Sequence, residues 1–253
     1  MTAFWLSLRT EFLKSRRTLA LFSTVFIPIV MALLSFLVIY LNADDFARMG
    51  ANMWNILVQN IFGIFGALLL PMYAMAVAYS VNHIEYTADA WKNLFALPLP
   101  RGAVYASKIA FAMILMSICL ALLCVLTFAT GQLLAFLKPE LGFQDYDSSR
   151  LILVFYLKFY VSSFGIFAIQ FVLSNLWPDF IRPVGVGLVA TIAGLMLAGW
   201  KRGWLIPYSL PQRINAQFSK EVMEVVTKEF ISSCCWAAVF VAIGYVLIVR
   251  RNT

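Results

Sequence analysis

The chain has 253 residues, 62% of them hydrophobic and 12% charged, and its mean hydropathy is +0.87. A soluble domain carries about twice that charged fraction, so a water-soluble fold is excluded and an integral membrane protein is expected. The net charge of +7 comes from 19 lysines and arginines against 12 acids; these cations flank apolar runs instead of forming a patch of their own, which suits lipid headgroups and topology control and argues against a nucleic-acid partner.

The first 17 residues, MTAFWLSLRTEFLKSRR, lack an uninterrupted apolar core followed by a small-residue cleavage site and do not read as a cleaved signal peptide. Phe4, Leu8 and Phe12 recur every four residues with Trp5 beside them, while Arg9, Lys14 and Arg16 fall largely elsewhere. This spacing predicts an amphipathic elbow helix over 3–17 that lies in the interface, with Trp5 as an anchor. A bilayer core about 30 Å thick needs roughly 20 apolar helical residues. Six runs qualify, near 19–41, 56–81, 108–137, 151–175, 184–200 and 230–249. The fifth is short and contains Gly185, Gly187, Gly194 and Gly199, so it is expected to pack tightly on another helix. The fold class is therefore all-α, a polytopic membrane protein of six transmembrane helices in a single transmembrane domain spanning 1–253.

Basic residues set the orientation. Arg9, Lys14, Arg16 and Arg17 at one end and Arg250 and Arg251 at the other place both termini in the cytoplasm, which requires an even number of spans. The 82–107 connection then lies inside, and the loops at 42–54 and 138–150, with Asp44, Asp45, Glu140, Asp145 and Asp147, lie outside. The loop 201–229 is also placed outside, although it holds Lys201, Arg202, Arg213, Lys220 and Lys228. Its WLIPYSLP stretch puts Trp204 and Tyr208 forward as headgroup anchors, and the following SKEVMEVVTKEF suggests a helix. Polar groups inside spans mark functional surfaces more often than surface charges do. Lys158, Gln170, Asn55, Gln59 and Asn60 are thus the candidates for a transport path, Lys158 being equally able to snorkel or to bond a neighbouring helix. Cys119, Cys124, Cys234 and Cys235 fit no metal or disulfide spacing and read as packing residues.

One stretch interrupts the apolar pattern, IEYTADAWKNLFALPLPRGAVYASKI from Ile84. Ala88, Trp91 and Phe95 share a helical face, and Pro98 and Pro100 stop the helix. A short amphipathic helix over 84–97 on the cytoplasmic side results. The pattern Glu85, Ala90-Trp91-Lys92-Asn93-Leu94, Leu97-Pro98, Arg101, Tyr105, Ser107-Lys108 resembles the first cytoplasmic loop of six-span permeases of ABC-type exporters, particularly those of lantibiotic immunity and antimicrobial peptide resistance. Ala90 and Pro100 depart from the usual outline of that family. The resemblance implies a coupling helix that docks on an ATP-hydrolysing partner subunit, with Glu85, Asp89, Trp91, Lys92, Asn93 and Arg101 as the coupling residues. It further implies two copies of that ATPase, a second permease, identical or homologous, and short helices of loop 201–229 dipping into the outer leaflet.

No G-x-x-x-x-G-K-[ST] loop occurs, so ATP and Mg are expected in the partner and no cofactor or metal in this chain. His83 is the only histidine, which leaves no H-E-x-x-H site, and no G-x-S-x-G setting is present, so no catalytic residue is assigned. The expected function is that of an exporter subunit in the inner (cell) membrane, moving an amphipathic or hydrophobic cargo, an antimicrobial peptide, drug or lipid-linked molecule, out of the membrane. The alternatives are a motor-independent membrane enzyme or assembly factor, and a passive channel; a channel is disfavoured because the spans show no repeated polar stripe.

Overall fold

Runs of apolar residues close their backbone hydrogen bonds within the segment, because lipid offers no partner for a free N–H or C=O. The computed structural model, which describes residues 2–15, 18–49, 52–87, 100–218, 220 and 222–250, accordingly contains helices and no strand among those residues. The order is α1 (Thr2–Lys14), α2 (Leu19–Leu41), α3 (Ala43–Met49), α4 (Met53–Ile64), a π-helical turn (Phe65–Leu69), α5 (Leu70–Thr87), α6 (Arg101–Leu137), α7 (Ser149–Ser162), α8 (Phe164–Leu176), α9 (Ile181–Leu197), α10 (Leu210–Phe218) and α11 (Lys228–Val249). Short 3-10 turns at Pro139–Leu141, Phe143–Asp145, Gly203–Leu205 and Pro207–Ser209 complete it.

Among the described residues, five continuous helical segments are long and apolar enough to cross a membrane: Leu19–Leu41, Met53–His83, Arg101–Leu137, Ser149–Leu176 and Lys228–Val249. The sixth expected span, α9, has 17 residues and falls short of that length. The protein is thus an all-α polytopic membrane protein. Helix α6 begins seven residues before the apolar run itself, at Arg101, because Pro100 serves as N-cap and the helix extends below the apolar belt.

Lipid tails are as apolar as leucine, so close packing and hydrogen bonds between spans hold such a bundle together. Helix α2 packs along α6, α5 along α8, and α8 along α11. Polar bridges cross between them: Thr24 to the Tyr73 hydroxyl at 2.8 Å, Thr127 to the Tyr156 hydroxyl at 2.6 Å, and Asn82 donating to Ser174 at 2.7 Å. At one end of the bundle Asn52 caps α4 and donates to Ser148, and the Trp54 indole donates to the Phe143 carbonyl at 3.0 Å. Beside them Asp147 accepts from the hydroxyl and N–H of Ser149, which holds its carboxyl below the usual range.

Between α9 and α11 the chain turns back into the bundle. Leu210, Pro211, Ile214 and Phe218 are the buried face of α10, and the Phe218 ring lies 4.7 Å from that of Phe155 on α7. Gln212 donates to the carbonyl of Gly63 at 3.2 Å, ten residues into α4 and so about 15 Å from its start. The tight fit of α9 depends on Gly194, where a Cβ would meet the carbonyl carbon and oxygen of Tyr208 at 2.6 Å. A backbone neighbour cannot swing aside, so Gly194→Ala is expected to destabilise by about 1–3 kcal/mol. Thermal unfolding of the detergent-purified chain checks this, with Gly185→Ala, which enters open space, expected to be silent.

The helix expected over SKEVMEVVTKEF does not form across that stretch. Residues 222–227 are non-helical, and α11 starts only at Lys228, capped by Thr227, whose side chain accepts from the Phe230 N–H.

Candidate functional site

Two polar constellations stand out in the bundle, one at each end of the long spans. The first lies where α1, α5 and α6 meet. Ser7, Glu11 and Ser15 follow one another at a spacing of four and form, with Leu8, the buried face of α1. Glu11, 2% exposed, faces Lys108 of α6, 0% exposed, at 3.3 Å. The same ammonium donates to the Val81 carbonyl of α5 at 2.8 Å, and Ser7 and Ser107 share a hydrogen bond of 2.7 Å. Lys14 stands 3.7 Å from Glu11 on the outer side.

The polar stripe turns toward the spans together with part of the apolar one: Leu8 is buried, Phe4 packs against the core and the Phe12 ring lies 4.8 Å from that of Phe111, while Trp5 is 64% exposed and Leu6 and Leu13 also face outward. A carboxylate and an ammonium near hydrocarbon are satisfied best by each other, and Trp5, Leu6 and Leu13 are left for lipid. Neither Glu11 nor Lys108 was singled out by spacing arguments. The signal was present: Glu11 is the sole acid before Asp44, and Lys108 the sole charge between Arg101 and Lys138.

Beyond this base, α5 ends at Thr87 and α6 starts at Arg101. Arg101 donates to the Val249 carbonyl at 3.1 Å, which ties the start of α6 to the end of α11. Glu85 lies in the last turn of α5; Asp89, Trp91, Lys92 and Asn93, with most of the expected 84–97 helix, lie outside the described residues.

The second constellation surrounds the segment that turns back between α9 and α11. Arg213 of α10 donates from Nε to Glu229 at 3.0 Å and from Nη1 to the carbonyls of Ala198 and Trp200, at 2.8 and 3.1 Å. Gln217 donates to the other Glu229 oxygen at 2.9 Å. Glu229 sits in the first turn of α11, the end of the helix dipole that favours an anion. One of the five cations of the 201–229 loop is thereby neutralised internally, a partial answer to its excess of positive charge.

Lys158 and Gln170 are both turned toward this segment. Lys158, 2% exposed and nine residues into α7, donates to the Val222 carbonyl at 3.0 Å. Gln170, 1% exposed, donates to the Tyr208 hydroxyl at 2.6 Å. Lys158 therefore does not snorkel; its carbonyl partner lies within the fold. Tyr208, expected at the headgroups, is instead 5% exposed inside the bundle, because its hydroxyl finds Gln170 there. Trp204 is half-buried. Asn55 and Asn60 are half-buried on α4 and Gln59 is exposed, so the five transport-path candidates do not converge on one cavity; two of them hold the re-entrant segment.

A comparison with curated proteins gives no match. A family profile described as ABC-2 family transporter protein matches residues 7–194, from the buried face of α1 through the polar base at Lys108 and into α9, leaving the re-entrant segment and α11 beyond it. An elbow helix joined to the third apolar segment by a buried ion pair, and a bundle of membrane-length helices, are the setting of that match, and over most of its length this chain is a member of the ABC-2 transporter family, a permease subunit of the membrane and not an enzyme.

Proposed function

We propose that this chain is the permease half of an ATP-driven exporter that moves an amphipathic or hydrophobic cargo, of the antimicrobial-peptide, drug or lipid-linked class, out of the membrane. The observation that carries this reading is the base of the bundle. Glu11, Lys108 and the Val81 carbonyl join α1 to the last turns of α5 and the first turns of α6, the two helix ends that the 88–99 segment connects. A push on that connection reaches two spans and the elbow together, and Arg101 passes it to the end of α11. Such joined elements suit a rigid-body switch between two packings.

In this reading a separate ABC-type ATPase, in two copies, binds ATP and Mg and grips Glu85, Asp89, Trp91, Lys92, Asn93 and Arg101 from the cytoplasm, where both termini lie in the inner (cell) membrane. Lys158 and Gln170 are engaged within one copy, which favours a cargo path formed against a second permease, identical or homologous, over a pore through a single chain. Trp91→Ala tests the reading. Loss of a central aromatic anchor weakens an interface by 2 kcal/mol or more. Permease-stimulated ATP hydrolysis by the complex in lipid nanodiscs should then fall at least about tenfold, with membrane insertion unchanged. Undiminished stimulation would remove Trp91 as the coupling contact.

A further inference from the structure

On the outer surface of the bundle, α6 and α11 diverge from their crossing and leave a groove of about 600 Å³. Ala106, Ile109 and Ala110 form one wall and Ala238, Ala242 and Val246 the other, with Tyr105 and Tyr245 at its floor and edge. Tyr105 is buried, donates to the Val241 carbonyl at 2.8 Å and keeps the helices at this separation, so the groove is built by the fold and is not a gap between loose helices. Both walls are apolar and open to the surrounding membrane.

The mouth of the groove is different. Ala238, Ala242 and Val246 lie four residues apart along α11, and the next position in that series is Arg250, exposed at the end of the helix. Arg101 precedes Gly102 at the start of the opposite wall, and its guanidinium reaches the Val249 carbonyl at 3.1 Å, one residue from Arg250. Two arginines therefore flank one end of an otherwise apolar trough, at the start of α6 and the end of α11.

We infer that this groove is a binding site for an anionic phospholipid, one acyl chain lying between α6 and α11 and the phosphate held by Arg101 and Arg250. Charge complementarity selects this occupant. The small residues along the walls would also suit a helix, but a second copy of this chain facing the groove symmetrically brings four arginines to one level. Guanidinium groups match phosphate oxygens through paired N–H donors. The inference goes beyond the transport reading; it shares Arg101 with the coupling contact proposed there, and the test therefore varies Arg250 in the chain without its ATPase.

The test uses the full chain in detergent, titrated with acyl-labelled phosphatidylglycerol and with phosphatidylcholine of the same tails, read by fluorescence anisotropy. A basic residue near anionic lipid contributes roughly a fivefold preference. Wild type should therefore favour phosphatidylglycerol by about tenfold or more, and Arg250→Gln should reduce that preference roughly fivefold while leaving phosphatidylcholine unchanged. Arg250→Lys should keep most of the preference. Ala242→Phe, which fills the trough, should weaken both lipids, whereas Val239→Phe, exposed on another face of the helix, should weaken neither. Equal affinity for the two lipids, a preference indifferent to Arg250→Gln, or lipid excluded from wild type by a concentration-dependent dimer would each overturn the inference.

Discussion

Glu11→Ala destabilises the protein by about 3–5 kcal/mol, because it strands the Lys108 ammonium in a site with no solvent access. The effect is larger than the worth of the pair itself. Most of it is the penalty of a buried charge that has lost its counter-ion, and the Val81 carbonyl alone does not neutralise it. Lys108→Met should cost a similar amount by stranding Glu11, which Lys14 at 3.7 Å compensates only from the exposed side. The double variant Glu11→Met with Lys108→Met should recover most of the loss, since two apolar side chains of like volume replace both charges. A thermodynamic cycle on unfolding of the purified chain checks this, together with proteolysis of the elbow, which Glu11→Ala alone should expose. Equal stability of Glu11→Ala and wild type would show that the ion pair is not formed.

Glu229→Ala is the counterpart at the other end of the bundle. Arg213 then keeps its two carbonyl partners but loses its carboxylate, and Gln217 loses its acceptor. The expected loss is about 3 kcal/mol, at the lower end for a broken buried pair because 23% of the Arg213 side chain stays exposed. Glu229→Gln retains a hydrogen-bond acceptor without charge and should lose about half as much. The readouts are the thermal midpoint and protease cleavage between residues 198 and 227, which should appear in the alanine variant first. An unchanged cleavage pattern would mean that α10 is held by its apolar face alone.

Hydropathy made the spans legible, since nothing except a helix buries so many consecutive apolar residues in lipid, and Leu19–Leu41 has the bounds read from its run. The turns inside spans left no such trace. Phe65–Leu69 and Ser163 interrupt largely apolar stretches; the Leu70 N–H bonds the Phe65 carbonyl, an i to i+5 bond, where Phe159 packs on Gly66, whereas Ser163 keeps its bonds to the Phe159 and Tyr160 carbonyls. Packing also decided the elbow: periodicity identified Phe4, Leu8 and Phe12 but gave no weight to Ser7 and Glu11, whose partners Ser107 and Lys108 are distant in the chain. Residues 219–227 have the composition of a helix, yet the Val222 carbonyl is taken by Lys158, a contact no local pattern encodes. Trp91 and its neighbours were conspicuous by composition and by resemblance, while the re-entrant segment around Tyr208 was visible only as an unusual density of proline and aromatic residues.

The two interruptions adjoin one another. The Phe62 and Phe65 rings stand 4.7 and 5.9 Å from that of Phe159, Pro211 lies close to Gly66, and Pro207 lies close to Gly165. Each interruption weakens the regular i to i+4 ladder of its span, so two neighbouring columns have their least stiff points side by side, each with a proline of the returning segment against it, and a push along either span would bend it there first.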